Sequence, residues 1–278
     1  MNALLPPVLL AVLLSPAAPL LAQHAHLNAG AVGSTAGTPL SFANGDLFVT
    51  NSGYFLPLKA ATNGPYAGFY QGSLTLTALP ATGDNGGPTF AHAAPGAHLE
   101  AEIASLSGPT GGAFGFWDSD GEEDATELTF SVPVGETAGQ RRFTLSQNDG
   151  SPEADPFGHV HGRRFTATLP GLYVVGFRLV DTSAHGPGGG PLHPASSLFP
   201  MYLQAGTTIA GIEQEPAGWF ITFAAEKGRT YQLQQASQLS PQAEWQTVGE
   251  PLVGAGKLER VGPLGLGSGT VLLRLLLP

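Results

Sequence analysis

The sequence predicts an all-β protein: an antiparallel β-sandwich of the jelly-roll or immunoglobulin-like kind, followed by a small C-terminal β module. Three observations lead there. The 278 residues include 39 Gly and 24 Pro but only 12% charged side chains, and Gly and Pro interrupt helices while punctuating sheets. Apolar residues alternate at period two through much of the chain, as half-buried strands require. Gly-rich stretches such as "GDNGGP", "SGPTGGA" and "HGPGGGP" separate these runs as turns and loops.

Residues 1–22 are uncharged and apolar, are broken by Pro6, Pro7, Pro16 and Pro19, and end on the small residue Ala22. This pattern predicts a secretory signal peptide, although it lacks the usual Lys or Arg near the start. The prolines argue against a membrane-spanning helix. The chain after cleavage is therefore expected to be secreted, periplasmic or at the cell surface, with no transmembrane segment.

Residues 23–206 are expected to form the sandwich. "AHLEAEIASL" sets Leu99, Ala101 and Ile103 on one face and Glu100 and Glu102 on the other, and "ELTFSVPV" and "RRFTLSQ" read the same way. "GLYVVGFRLV", apolar on both faces, predicts a central strand covered from both sides. "GAFGFWD" alternates as a core strand does, so Phe114, Phe116 and Trp117 are read as structural rather than as a sugar platform. A boundary falls near residue 207, because none of the eight His lies beyond His193. Residues 207–278 carry several short strands, close to the lower size limit for an independent core.

Composition also excludes functions. There are no cysteines, so neither disulfides nor thiolate chemistry is available. The net charge is −10 with only 11 Lys and Arg, which excludes a nucleic-acid partner and favours cations near the surface. No Gly-x-Ser-x-Gly elbow is present.

The residues with chemistry to offer are histidines. His159 and His161 sit two apart in "FGHVHGRRF", and His24 and His26 in "QHAHLNAG". On a strand, i and i+2 share a face, so each pair can present two imidazoles to one ion, and imidazole suits zinc and copper. A single pair in a Gly-rich loop is more often satisfied by backbone or solvent; two pairs in a cysteine-free chain favour a metal. His185 and His193 flank "GPGGGPL" and are candidates to supply a further ligand. Cleavage after Ala22 leaves Gln23-His24 at the terminus, where amine, backbone nitrogen and imidazole together suit Cu(II). "WDSDGEEDATE" places Asp118, Asp120 and Asp124 around Gly121, a loose calcium-loop spacing without the terminal Glu. An acidic hairpin tip is its simpler reading.

At "FGHVHGRRFTATLPGLYVVGFRLVD" the chain resembles a bacterial family of exported, surface-anchored proteins carrying "HxH…(F/W)xxxxPGxY" before a long strand. The match runs through His159, His161, Phe165, Pro170, Gly171 and Tyr173. Members are often encoded beside metal-uptake transporters or under zinc-responsive control, so the resemblance implies zinc handling outside the cytoplasm, with an envelope metal transporter as a candidate partner. "HAHL" is similar to mature N-termini of copper carriers of the CopC type. The stretch from "GRTYQLQQAS" to "EWQTVG" resembles small β domains that end many secreted bacterial proteins, and implies no activity.

The expectation is an exported, non-enzymatic protein binding zinc or copper through His159 and His161, with His24, His26 and His193 as further ligands. The alternative is a structural or adhesive protein whose histidines are incidental. A copper or zinc enzyme with an open coordination position ranks third.

Overall fold

A computed structural model describes residues 26–31, 33–77, 93–118, 125–136, 141–152, 154–155, 163–240, 242–266 and 270–277, with only the backbone of His26 and Thr77. The chain is all-β. Its first strands are β1 (His26–Ala31), β2 (Leu40–Phe42), β3 (Leu56–Ala60), β4 (Tyr70–Gly72), β5 (Thr75–Thr77) and β6 (His98–Ser107). They continue with β7 (Ala113–Trp117), β8 (Phe130–Pro133), β9 (Arg142–Gln147), β10 (Arg164–Ala167), β11 (Gly171–Asp181) and β12 (Phe199–Ala205). After Gly206 come β13 (Ile209–Glu215), β14 (Gly218–Ala225), β15 (Thr230–Ala236), β16 (Gln246–Thr247), β17 (Leu252–Val253), β18 (Lys257–Leu264) and β19 (Leu272–Leu276). Among the described residues, no helix is long and apolar enough to cross a membrane.

Nine strands form one sheet in the order β8-β7-β10-β4-β3-β12-β11-β6-β9, and β2-β1-β5 form a second. The large sheet curls on itself. Phe116 of β7 stacks on Phe143 of β9 with ring centroids 4.0 Å apart, although these strands lie near opposite ends of the order. Phe114, Phe165, Phe177 and Tyr173 fill the space between, and Leu27 and Leu76 of the smaller sheet join the same core. Each such side chain contributes about 1.5–3 kcal/mol on burial.

Alternation puts these residues inside. Leu99, Ala101 and Ile103 of β6 are all buried, as are Phe143 and Leu145 of β9. Glu102 departs from the expectation of a solvated face: it is buried, because Arg142 on the neighbouring strand closes over it at 2.7 Å. The long strand β11 lies inside the sheet, between β12 and β6. One of its faces, Tyr173, Val175, Phe177 and Leu179, is fully buried, whereas Leu172 and Val174 on the other are only half-buried and Arg178 is exposed. It is therefore covered more on one side than its uniform hydrophobicity predicts. Two pairs are parallel, β1 with β5 and β3 with β12, where alternation alone predicts antiparallel pairing. Parallel partners need long crossovers, which local sequence does not reveal.

The Pro-Gly-x-Tyr signature has a structural explanation. Gly171 opens β11 at φ +144°, and a Cβ there would collide with Pro109. Two residues later Tyr173 turns its ring into the core, donates its hydroxyl to the Leu169 carbonyl at 3.1 Å and accepts from the Leu169 N–H at 3.3 Å. The turn and the strand are thus pinned by one side chain. Burial pushes the Tyr173 hydroxyl above its ordinary pKa, so it stays protonated and keeps both bonds.

Beyond Gly206, β13, β14 and β18 form one sheet, and β15 pairs with β16, β17 and β19. Ile221, Leu233, Val248 and Leu264 make one small core, and Phe223, Ala225 and Tyr231 another. This part touches the large sheet region through a backbone bond, Leu258 N–H donating to the Gly53 carbonyl at 2.8 Å.

Candidate metal-binding rim

The antiparallel register of β7 and β10 sets Trp117 opposite Arg164. The chain therefore leaves β7 through Asp118 and enters β10 through Arg163 at the same end of the sheet. An ion pair joins these two residues, Arg163 Nε to Asp118 Oδ1 at 2.7 Å. Arg163 is itself buried; its Nη2 donates to the Thr144 carbonyl of β9 at 2.7 Å, and its guanidinium lies over the Phe143 ring. One cation thus fastens β7, β9 and β10 together at this rim.

Other contacts hold the same end. The Asp118 N–H donates to Thr129 Oγ1 at 2.8 Å, and the Tyr66 hydroxyl donates to the Ala125 carbonyl. Trp117 packs edge-on against Tyr66 and Phe69 and donates its indole N–H to Thr166 Oγ1 at 2.9 Å. Strand β4 runs antiparallel to β10, with Gly72 opposite Phe165, so β4 also ends at this rim. Three residues further on, Thr75 pairs with His26. Arg163, Asp118 and His26 flank the stretches that contain His159 and His161, Asp120 and Asp124, and His24 respectively.

His24, His159, His161, Asp120 and Asp124 lie outside the described residues, and of His26 only the backbone is described. Asp118, expected as an oxygen ligand, commits one carboxylate oxygen to Arg163. His193 is engaged by the fold. It is buried, its Nε2 accepts the Ala94 N–H at 2.9 Å, and its Nδ1 donates to the Thr38 carbonyl at 2.8 Å. With both ring nitrogens used by the fold, it has no lone pair left for a metal. His185 does not swing toward it; its Nδ1 donates instead to the Gly96 carbonyl at 2.8 Å. Among the described residues, no group of three or more His, Asp or Glu converges as a metal site would.

Two residues not singled out from the sequence shape this region. His98, at the start of β6, places Nε2 3.4 Å from Thr144 Oγ1 and from Gln147 Nε2, next to the residue whose carbonyl holds Arg163. A lone His at a strand end carries no spacing signal. Asp181 ends β11 and accepts backbone N–H groups from His98 and Ser183 on Oδ1, and from Leu192 and His193 on Oδ2, at 2.8–3.1 Å. Burial raises its pKa, but these hydrogen bonds outweigh burial and the net shift is downward. Asp181 anchors the His193 segment. No family model, curated protein or solved structure matches the chain, so the chemistry of its own residues carries the functional reading.

Proposed function

We propose that this chain is an exported, non-enzymatic protein of the cell envelope that binds zinc or copper through His159 and His161, with His26 and His24 as further donors. The observation supporting this reading is the shared rim. Asp118 and Arg163, which flank the Asp-bearing and His159-bearing stretches, are anchored at one end of the curled sheet, and the backbone of His26 pairs in the smaller sheet with Thr75, three residues beyond the end of β4. The resemblance to surface-anchored proteins encoded near metal-uptake genes points the same way, with an envelope metal transporter as the partner. His193 serves the fold and is not among the ligands proposed.

A second reading has its own support. The buried His193 and the backbone-capping Asp181 are purely structural, which favours a structural or adhesive protein with incidental histidines. Trp117, adjacent to Asp118 on the rim, distinguishes the two readings. Adding zinc to metal-free protein should change Trp117 emission saturably, in a background where Trp219 and Trp245 are replaced by Phe. The His159→Ala/His161→Ala variant should lose the change. An unaltered spectrum in the wild-type rim, together with an unaltered melting temperature, favours the structural reading.

A further inference from the structure

The chain contains only three lysines, Lys59, Lys227 and Lys257, and the fold gathers all of them where the large sheet region meets the C-terminal strands. Lys59 reaches Glu226 at 3.7 Å, and Arg229 holds the same carboxylate at 3.0 Å. Lys257 pairs with Ala225, the residue before Glu226, and Lys227, the residue after it, lies against Gly256. The nearby carboxylates are Glu226 and Glu259, the latter accepting the Ala255 N–H. Glu250 lies further off, against Tyr231 and Leu252, and the charged groups that stand together here, Lys59 and Arg229 with Glu226, leave a local positive excess on a molecule whose net charge is −10.

Beside this patch is a cavity of about 280 Å³ lined from both sides of the junction. Its floor is apolar: Phe55 and Leu58 come from one side, Ala224 and Tyr231 from the other, and all are buried. Tyr70 walls it, and Lys59 and Arg229 stand at its edge with Glu226. Clefts between structural units are common ligand sites, of roughly 300–1,000 Å³ and typically apolar with a few polar groups that fix orientation; this one is slightly smaller. An apolar floor without a charged rim would suit a neutral ligand, and a basic rim without a floor would suit a bare anion. The combination selects a molecule that has both parts. Because charges are screened over about 8 Å at physiological salt, the local cations outweigh the distant excess of carboxylates for a ligand inside the cleft.

We propose that this junction cavity binds a small amphipathic organic anion, its apolar body on Leu58, Tyr70 and Tyr231 and its acidic group on the exposed ends of Lys59 and Arg229, beside the Glu226 carboxylate that already bridges them. The site is independent of the metal-binding reading, so it is tested on full-length protein treated with a chelator. The probe is 8-anilinonaphthalene-1-sulfonate, followed by fluorescence. One saturable site per chain is expected on protein that melts cooperatively. Lys59→Glu and Arg229→Glu should each weaken it by about tenfold or more, equivalent to about 1.4 kcal/mol. The uncharged analogue N-phenyl-1-naphthylamine should bind more weakly by a similar factor. Arg274→Glu, whose parent side chain stacks on Trp245 away from this cavity, should leave binding unchanged. If Arg229→Glu disturbs folding of the C-terminal strands, Lys59→Glu on β3 still gives the answer. Absence of saturable binding overturns the proposal, as does indifference to Lys59→Glu or equal binding of the neutral analogue.

Discussion

Asp181 and His193 illustrate how much of this fold rests on single polar side chains. Asp181 satisfies four backbone N–H groups that loops would otherwise leave unpaired. Its folded-state pKa is depressed below an unfolded value of about 3.9. Its contribution to stability is therefore fully present above that value and is lost as pH falls through the folded value. Asp181→Asn should lower stability by about 1.5–3 kcal/mol near neutral pH. In denaturant titrations repeated from neutral to acid pH, the gap to wild type should narrow on the acid side. His193→Ala should also destabilise, by about 1–3 kcal/mol, because it leaves the buried Ala94 N–H and the part-buried Thr38 carbonyl unpaired. Zinc affinity should not change, and calorimetry on the folded variant checks that. The sequence shows a histidine after a glycine loop, but its partners Thr38 and Ala94 lie 155 and 99 residues away. No local pattern distinguishes such a residue from a ligand.

At the scale of elements the strands were legible and their coverage less so. Alternation in β6 and β9 predicted the buried faces. Gly171→Ala should cost more than the fraction of a kcal/mol typical of a surface change, since the residue combines a positive φ with steric closure by Pro109. About 1–3 kcal/mol is expected for such backbone strain, read as a shift of the denaturant midpoint. Tyr173→Phe retains the ring and loses both bonds to Leu169, a smaller loss of about 0.5–1.5 kcal/mol. If Tyr173→Phe proves neutral, the pinned-turn account of the motif is wrong. The burial of Glu102 was not legible, because it depends on Arg142 of a neighbouring strand folding its stem over the carboxylate.

At the scale of the whole molecule, the curl decides which parts meet. Stacking of Phe116 on Phe143 and the reach of Arg163 from β10 to Thr144 of β9 bring together strands that are far apart in sheet order. Long-range pairing of this kind leaves no trace in local periodicity, so the all-β class was readable while the shared rim was not. The same holds for the parallel pairs and for the gathering of every lysine at the junction. Conversely, the His-x-His motif was visible at once in the sequence. Titration calorimetry of metal-free wild-type protein with zinc and with copper near neutral pH tests the central claim directly. The expected result is saturable binding tighter than about 0.1 mM, or about −5.5 kcal/mol. It should weaken below about pH 6.5 as imidazoles take up protons and disappear in His159→Ala/His161→Ala. No saturable binding of either metal, or binding that survives the double substitution, would contradict it.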